Sequence, residues 1–383
     1  MRNVINLNED WAFIQQDAGL PQVMPSDWTK VDLPHTWNAI DGHDGNGSYD
    51  RGKYWYAKTF ETPKQPLGGG KVFVEILAAG QQATVYVNGK EVVYHEGGYS
   101  TFRADITEVC KEEGENLLVV ACDNARKESV YPQSADFTFY GGLYRGVNLI
   151  SVPDAHFDLE YYGGPGIQVT PVPCDCGGAK FDIVSYVKEA DENFTVLYSI
   201  CDAEGKEVAS ACRPADSTAV TVYVPEVTKW DIDNPYLYTV TARLERRNET
   251  YDEISVRAGV RSFSCDPNKG FIINGVETPL RGVSRHQDQL YKGNALTRED
   301  HFEDARIIKE LGANTIRLAH YQHSQDFYDA CDEMGFVVWA EIPFISVMNN
   351  DPEAHQNCIS QLKELIIQNY NHPSICFWGI SNE

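Results

Sequence analysis

Asn371-His-Pro-Ser-Ile-Cys-Phe-Trp-Gly-Ile-Ser-Asn-Glu383 is the stretch that decides the architecture. Its apolar run from Ile375 to Ile380 reads as a short buried strand that delivers an Asn-Glu pair to the strand's C-terminal end. In a parallel β/α barrel the loops following the strands converge at that end, so reactive side chains collect there. Glu383 is therefore the first candidate for a catalytic residue, and it is also the last residue of the sequence.

Working back from this strand, residues 264–383 alternate in type. Leu280 to Val283 reads as a first strand. Thr297-Arg-Glu-Asp300 is a capping box, and Phe302, Ala305, Ile308 and Leu311 then fall on one helical face before Gly312. Thr315-Ile-Arg-Leu318 is a second strand. Ser324 caps a helix that ends at Gly335, and Phe336 to Ala340 is a third strand. Asp351-Pro352 opens a third helix with Ile359, Leu362 and Ile366 facing inward. Four strands alternating with three helices predict the N-terminal half of an eight-fold TIM barrel. A flavodoxin-like open sheet is the alternative, but no Gly-rich phosphate loop follows any strand.

Upstream, the helical period disappears. Residues 1–153 carry short runs rich in Val, Tyr, Phe and Thr: Tyr54 to Phe60, Lys71 to Leu77, Ala83 to Val87 and Leu117 to Cys122. Asn88-Gly89, between Thr84-Val-Tyr-Val87 and Glu91-Val-Val-Tyr94, is a hairpin signal, because both positions tolerate positive φ. These features predict a β jelly-roll sandwich. Residues 154–263 repeat the pattern at Gly166 to Val172, Phe181 to Val187, Phe194 to Cys201, Ala219 to Val224, Tyr236 to Leu244 and Ile254 to Val260. That strand count suits an immunoglobulin-like β-sandwich.

With 32 Lys and Arg against 56 Asp and Glu, the net charge of −24 repels nucleic acid and anionic membrane surfaces, and neither is an expected partner. The N-terminus has no apolar core of signal-peptide length and no later stretch is long enough to span a bilayer, so a cytoplasmic enzyme is expected. The ten cysteines read as reduced thiols scattered through strand-like and helix-like runs. Cys174-Asp-Cys176 is the only close pair, and without a second Cys or His pair at zinc spacing it reads as a polar loop, with no metal site expected.

Each strand of the third region ends in polar side chains: Ser284-Arg285-His286-Gln287-Asp288, then Arg317 and His320, then Glu341, then Asn382-Glu383. Singly, each is accounted for as a satisfied structural residue. Together they point to a polyol-binding pocket.

Five ordered stretches resemble glycoside hydrolase family 2, which comprises β-galactosidases, β-glucuronidases and β-mannosidases. They are Asp136-Phe-Thr-Phe-Tyr-Gly-Gly-Leu-Tyr-Arg145, Arg281-Gly-Val-Ser-Arg-His286, Gly312-Ala-Asn-Thr-Ile-Arg317-Leu-Ala-His320-Tyr321, Trp339-Ala-Glu341 and Asn371 to Glu383. Gly47-Ser-Tyr and Tyr54-Trp-Tyr resemble the family's sugar-binding domain. The resemblance covers essentially the whole chain and implies a retaining exo-β-glycosidase acting on a small carbohydrate. It implies Glu383 as general acid/base, Asn382 on the sugar 2-hydroxyl, and His286 and His320 as sugar contacts. Arg317 would orient the nucleophile carboxylate, and Asp136 would bind a sugar hydroxyl, in some members through a sodium ion. Assembly into a homo-oligomer is compatible with it.

The family's magnesium site is not expected, since Glu341 is followed by Ile-Pro-Phe-Ile-Ser-Val without the usual carboxylate and histidine. The nucleophile, a glutamate on strand seven, has no counterpart, so these residues alone are expected to be inactive, with the half-barrel labile to proteases. Arg285-His-Gln-Asp288, His320-Tyr-Gln-His-Ser324 and Trp339-Ala-Glu-Ile-Pro343 look more like β-galactosidases than β-glucuronidases. A non-catalytic carbohydrate-binding protein and a structural fragment are the readings of other classes.

Overall fold

The computed structural model describes residues 1–64, 69–217, 219–345 and 347–383. In the N-terminal region two antiparallel sheets face each other. One orders Asn3–Asn6, Val147–Val152, Lys71–Ile76 and Phe102–Asp105. The other orders Thr29–Val31, Trp11–Ile14, Lys53–Glu61, Glu115–Asp123, Gln82–Val87 and Lys90–Glu96. Alternate residues such as Val72, Val74 and Ile76 meet Tyr56, Val85, Leu118 and Val120 in one core. The Asn88-Gly89 turn has φ values of 51° and 79°, as its hairpin requires. The strands invisible to pattern reading lie mostly at edges: Asn3–Asn6 is wholly exposed and has no apolar alternation to detect.

Residues 155–260 form the second core, between a three-stranded and a four-stranded antiparallel sheet. All six expected strands are present with shifted ends. A seventh, Glu207–Pro214, escapes pattern reading because it is half-exposed and carries small or polar residues.

The third region holds a parallel sheet in the order β1 (Gly282–Arg285), β2 (Thr315–Leu318), β3 (Val337–Glu341) and β4 (Ile375–Gly379). It is interleaved with α1 (Arg298–Glu310), α2 (Gln325–Met334) and α3 (Pro352–Asn369). Thr297 and Asp300 close a capping box on α1, Ser324 caps α2, and Gly335 ends α2 at φ 72°. Asp351 caps α3. A three-stranded antiparallel sheet over Phe263–Asp266, Gly270–Ile273 and Val276–Glu277 precedes the barrel strands. Its Phe271 and Ile273 pack with Trp230, Val337 and Cys376.

Three expectations need correction. β1 begins at Gly282, two residues later than expected, because its register pairs Gly282 with Thr315 and Arg285 with Leu318. Leu311 is 72% exposed: it is the C-cap of α1, where the helical face no longer meets the sheet. Ile359 on α3 is also exposed, and Leu362 and Ile366 are half-buried.

The face that α3 buries is polar: Asn357, Gln361, Glu364, Gln368 and Asn369 accompany Ala354 and Leu365. Much of it docks on the N-terminal sandwich and on residues 161–163 of the second region. Gln368 Nε2 donates to the carbonyls of Thr101 (2.8 Å) and Tyr162 (2.7 Å), and its Oε1 accepts from the Thr101 amide. Gln361 donates to the Tyr131 carbonyl, and His95 Nε2 lies 2.9 Å from Glu364 Oε1. Gln361, Glu364 and Gln368 are tolerated at a buried seam because each finds a partner across it.

A buried charge sits between β1 and the helices. Arg285 bonds Asp304 at 3.0 and 2.5 Å, meets His301 Nδ1 at 3.2 Å and His323 Nδ1 at 3.1 Å, and lies 3.8 Å over the Phe327 ring. Burial, and then the Arg285 charge, push His301 down to about 2 and His323 well below its ordinary value near 6.5. Both therefore stay neutral when folded and take up protons only on unfolding. As pH falls below 6.5 the unfolded chain gains about 1.4 kcal/mol per pH unit for each of them. His372 acts oppositely: despite burial, Asp332 raises it, so its contribution is complete below the ordinary value and is lost as pH rises through the raised one. The two depressed histidines outnumber it. The thermal midpoint of the barrel region should fall steadily between pH 6.5 and 5; a flat or rising midpoint would contradict this assignment.

Candidate active site

The C-terminal ends of β1 to β4 bring His286, Arg317, His320, Glu341 and Asn382 together, with Glu383 following directly. At the centre is the Glu341 carboxylate, 1% exposed. Oε1 accepts from Arg317 Nη2 at 2.9 Å and His320 Nδ1 at 2.7 Å. Oε2 accepts from Arg317 Nε at 3.0 Å and the Trp339 indole at 2.9 Å. Burial opposes ionisation, but the bonds from His320 and Arg317 outweigh it and hold the carboxyl below its usual range. The guanidinium fork matches the carboxylate bidentately.

Arg317 Nη2 also donates to Asn382 Oδ1 at 2.7 Å. The Asn382 backbone is fixed by its N–H, which donates to the Phe344 carbonyl at 2.9 Å, and by a parallel bridge to Ile345. With Oδ1 engaged, the amide NH₂ is the end left to donate into the mouth. For His320, a ring nitrogen 2.7 Å from a carboxylate carries a proton, so Nδ1–H points at Glu341 and Nε2 is the ring nitrogen left for another partner.

His286 Nδ1 lies 3.1 Å from the Tyr321 hydroxyl. Burial, with His320 nearby, lowers His286, while Asp288 and Asp136 partly offset that shift. Burial also keeps Tyr321 protonated. A Tyr321 O–H donated to Nδ1 leaves His286 Nε2–H as a donor facing the site. An aromatic wall supports both imidazoles: Phe137 lies 5.3 Å from His286 and 6.0 Å from His320 between ring centres, and Tyr321 stacks on Tyr99 at 4.3 Å.

Asp136 adjoins Phe137 on the long N-terminal loop and is exposed, close enough for its charge to act on His286. Among the described residues no group of three His, Cys, Asp or Glu side chains forms around Asp136. The grouping that does form is Asp329, Asp332 and His372. Its charge is already met: Arg257 pairs with Asp329 at 2.7 Å, and His372 Nδ1 lies 2.6 Å from Asp332.

Several strand-end residues turn out to be scaffold. Arg285 points toward Asp304. Gln287 Oε1 accepts from Arg145 and from the Ser324 amide, and Asp288 accepts from the Tyr140 hydroxyl at 3.0 Å. Gln322 bonds Gln368, His323 meets Arg285, and Ser324 caps α2. Asn371 ties the barrel to the second domain, accepting from the Val169 amide at 2.8 Å and donating to the Ile167 carbonyl at 3.0 Å. Of the segment after Glu341, Ser346 lies outside the described residues. The anchoring role of Glu341 was not assigned from sequence; a carboxylate ending a strand beside an arginine strand end was the available signal.

No helix among the described residues is long and apolar enough to cross a membrane. The model of the family 2 sugar-binding domain matches residues 23–153, the general family 2 model residues 167–261, and the family 2 TIM barrel model residues 267–383. The crystal structure of an FMN-binding β-glucuronidase from Facaelibacterium prausnitzii L2-6 is 63% identical, with a TM-score of 0.96 over 100% of this chain and 58% of that one. A β-glucuronidase of Bacteroides fragilis is 32% identical over 100% of this chain and 56% of its own length. The β-galactosidase BoGH2A of Bacteroides ovatus is 33% identical over 99% of this chain and 46% of its own length. The chain thus spans about half the length of the relatives it matches. Both activities occur among them, so the expected galactosidase specificity is not confirmed. With three family models in the family's order and relatives aligned along its whole length, the chain belongs to glycosyl hydrolases family 2.

Proposed function

We propose that these residues form the sugar-binding and acid/base portion of a retaining exo-β-glycosidase whose preferred substrates are β-D-glucuronides. The observation that carries the glycosidase reading is the clamp in which Glu341 holds Arg317 and Arg317 holds Asn382, directly before Glu383. Asn382 NH₂, His320 Nε2 and His286 Nε2–H would meet sugar hydroxyls, and Asp136 would close over the sugar from the N-terminal loop.

In glycosylation, Glu383 gives its proton to the leaving oxygen while a second carboxylate attacks the anomeric carbon. In the second step, Glu383 takes a proton from the water that releases the sugar. Glu341 is engaged by four bonds and Asp288 holds Tyr140, so the attacking carboxylate must come from outside β1 to β4.

The glucuronide preference rests on the 63% identical F. prausnitzii structure. Flavin binding is named for that protein and forms no part of the chemistry proposed here. The second reading, a β-galactosidase, is supported by the BoGH2A relative. The sequence motifs that favoured it are weak support, since most of their side chains brace the scaffold. The ten free thiols support a reducing compartment.

Steady-state assay of the complete enzyme on matched aryl β-glucuronide and β-galactoside tests the assignment. The glucuronide should have the larger kcat/KM by at least about tenfold, the scale of one charged contact. A larger value for the galactoside selects the second reading, and hydrolysis of neither removes both.

A further inference from the structure

Arg51 stands two residues before the strand Lys53–Glu61 of the N-terminal sandwich. Its guanidinium carbon is 4.1 Å from the centre of the Phe139 ring and 5.7 Å from that of Tyr49. Phe139 stacks on Phe137 at 5.5 Å, and Phe137 faces His320 and His286. Arg51 therefore ends a continuous aromatic stack whose other end lies against the two imidazoles of the site.

The other arginines of this neighbourhood are satisfied. Arg317 holds Glu341, Arg285 holds Asp304, and Arg145 donates to the carbonyls of Tyr99 and Gln322. Arg51, by contrast, makes no ion pair and donates no hydrogen bond among the described residues. In a chain of net charge −24 with 56 acidic residues, a half-buried guanidinium without a carboxylate is conspicuous. Burial pulls it below its usual range; Tyr49 and Tyr99 partly offset this, and Arg126 adds to it. The aromatic faces fix its plane and leave its N–H edge without an acceptor, the preparation suited to a planar anion.

We infer that Arg51 receives a carboxylate carried by the substrate, and so makes the site selective for anionic glycosides. This rests on the reading that the complete protein cleaves β-glycosides. The carboxylate has two possible sources, the sugar ring of a uronide or the aglycone, and the same chemistry recognises either.

The test compares wild-type complete enzyme with Arg51→Gln and Arg51→Lys on three substrates: 4-nitrophenyl β-glucuronide, 4-nitrophenyl β-galactoside and a carboxyphenyl β-galactoside. Arg51→Gln should lower the ratio of kcat/KM for an anionic over a neutral substrate about 10- to 100-fold, mainly through KM, and Arg51→Lys should restore part of it. A drop for the glucuronide identifies the sugar carboxylate, and a drop for the carboxyphenyl galactoside identifies the aglycone. An unchanged ratio for both, or equal losses on all three substrates, would overturn the inference. If wild-type enzyme cleaves only galactosides, the glucuronide reading fails separately, and the carboxyphenyl arm still decides the role of Arg51.

Discussion

Replacing Glu383 by Gln in the complete enzyme should slow cleavage of glycosides with poor leaving groups by about 10²- to 10⁴-fold, the usual contribution of a positioned general acid. An aryl glycoside with an activated leaving group should lose much less in the first step, because its oxygen leaves without full protonation. Water then attacks the glycosyl enzyme without a base, so that intermediate should accumulate. Added azide should restore turnover, since it attacks without giving up a proton. Glu383 is exposed, so the thermal midpoint should barely move. Equal losses on all leaving groups, with no azide rescue, would give Glu383 another task.

The second large effect is expected at Glu341, which touches no substrate in this arrangement and acts through its neighbours. Glu341→Ala removes the counter-charge of Arg317 and the acceptor of His320 inside the protein. Breaking a buried pair this way costs about 3–5 kcal/mol, so both the thermal midpoint and kcat/KM should fall sharply. Glu341→Gln is the sharper test. Each carboxylate oxygen faces two donors: Arg317 Nη2 and His320 at one, Arg317 Nε and Trp339 at the other. Whichever way the amide is turned, its NH₂ opposes two N–H groups. The variant should therefore lose at least about 100-fold in kcat/KM, the equivalent of roughly 3 kcal/mol. Turnover at the wild-type level would show that the shape of this side chain matters and its charge does not.

How much of the site could be read in advance depended on how local each signal was. Asn382 and Glu383 stand out because they follow a short apolar strand. His286 and His320 stand out because they follow the last apolar residues of their strands, Val283 and Leu318, by three and two positions. Whether such a residue faces the mouth or the outer layer is set by pleat and twist. Arg285 and His286 are neighbours in sequence, yet one turns outward to Asp304 and the other faces the mouth. The galactosidase leaning, which is not confirmed, gave equal weight to side chains on both faces of the strand.

Helix α3 shows the same limit at larger scale. Its apolar residues suggested an inward face of Ile359, Leu362 and Ile366, but the packed face carries Gln361, Glu364 and Gln368. An isolated helix would hide its isoleucines. Here the neighbours are the two sandwich domains, the first offering the carbonyls of Tyr131 and Thr101 and the second that of Tyr162, and polar side chains can be buried at little cost once each has such a partner.

The order of domains, the alternation of strand and helix after residue 264, the three N-caps and the Asn-Glu pair at the end of β4 follow from the sequence by itself. Their causes act within a few residues: backbone sterics, capping groups and hydrophobic period. Tertiary structure alone decided that Arg317 clamps Glu341 and Asn382, that Arg285 is scaffold, that Arg51 closes an aromatic stack, and that His95 meets Glu364 across 269 positions. Those contacts pair residues whose separation in sequence carries no information about distance, and they are settled when three domains bury their shared faces and each buried charge must find its partner.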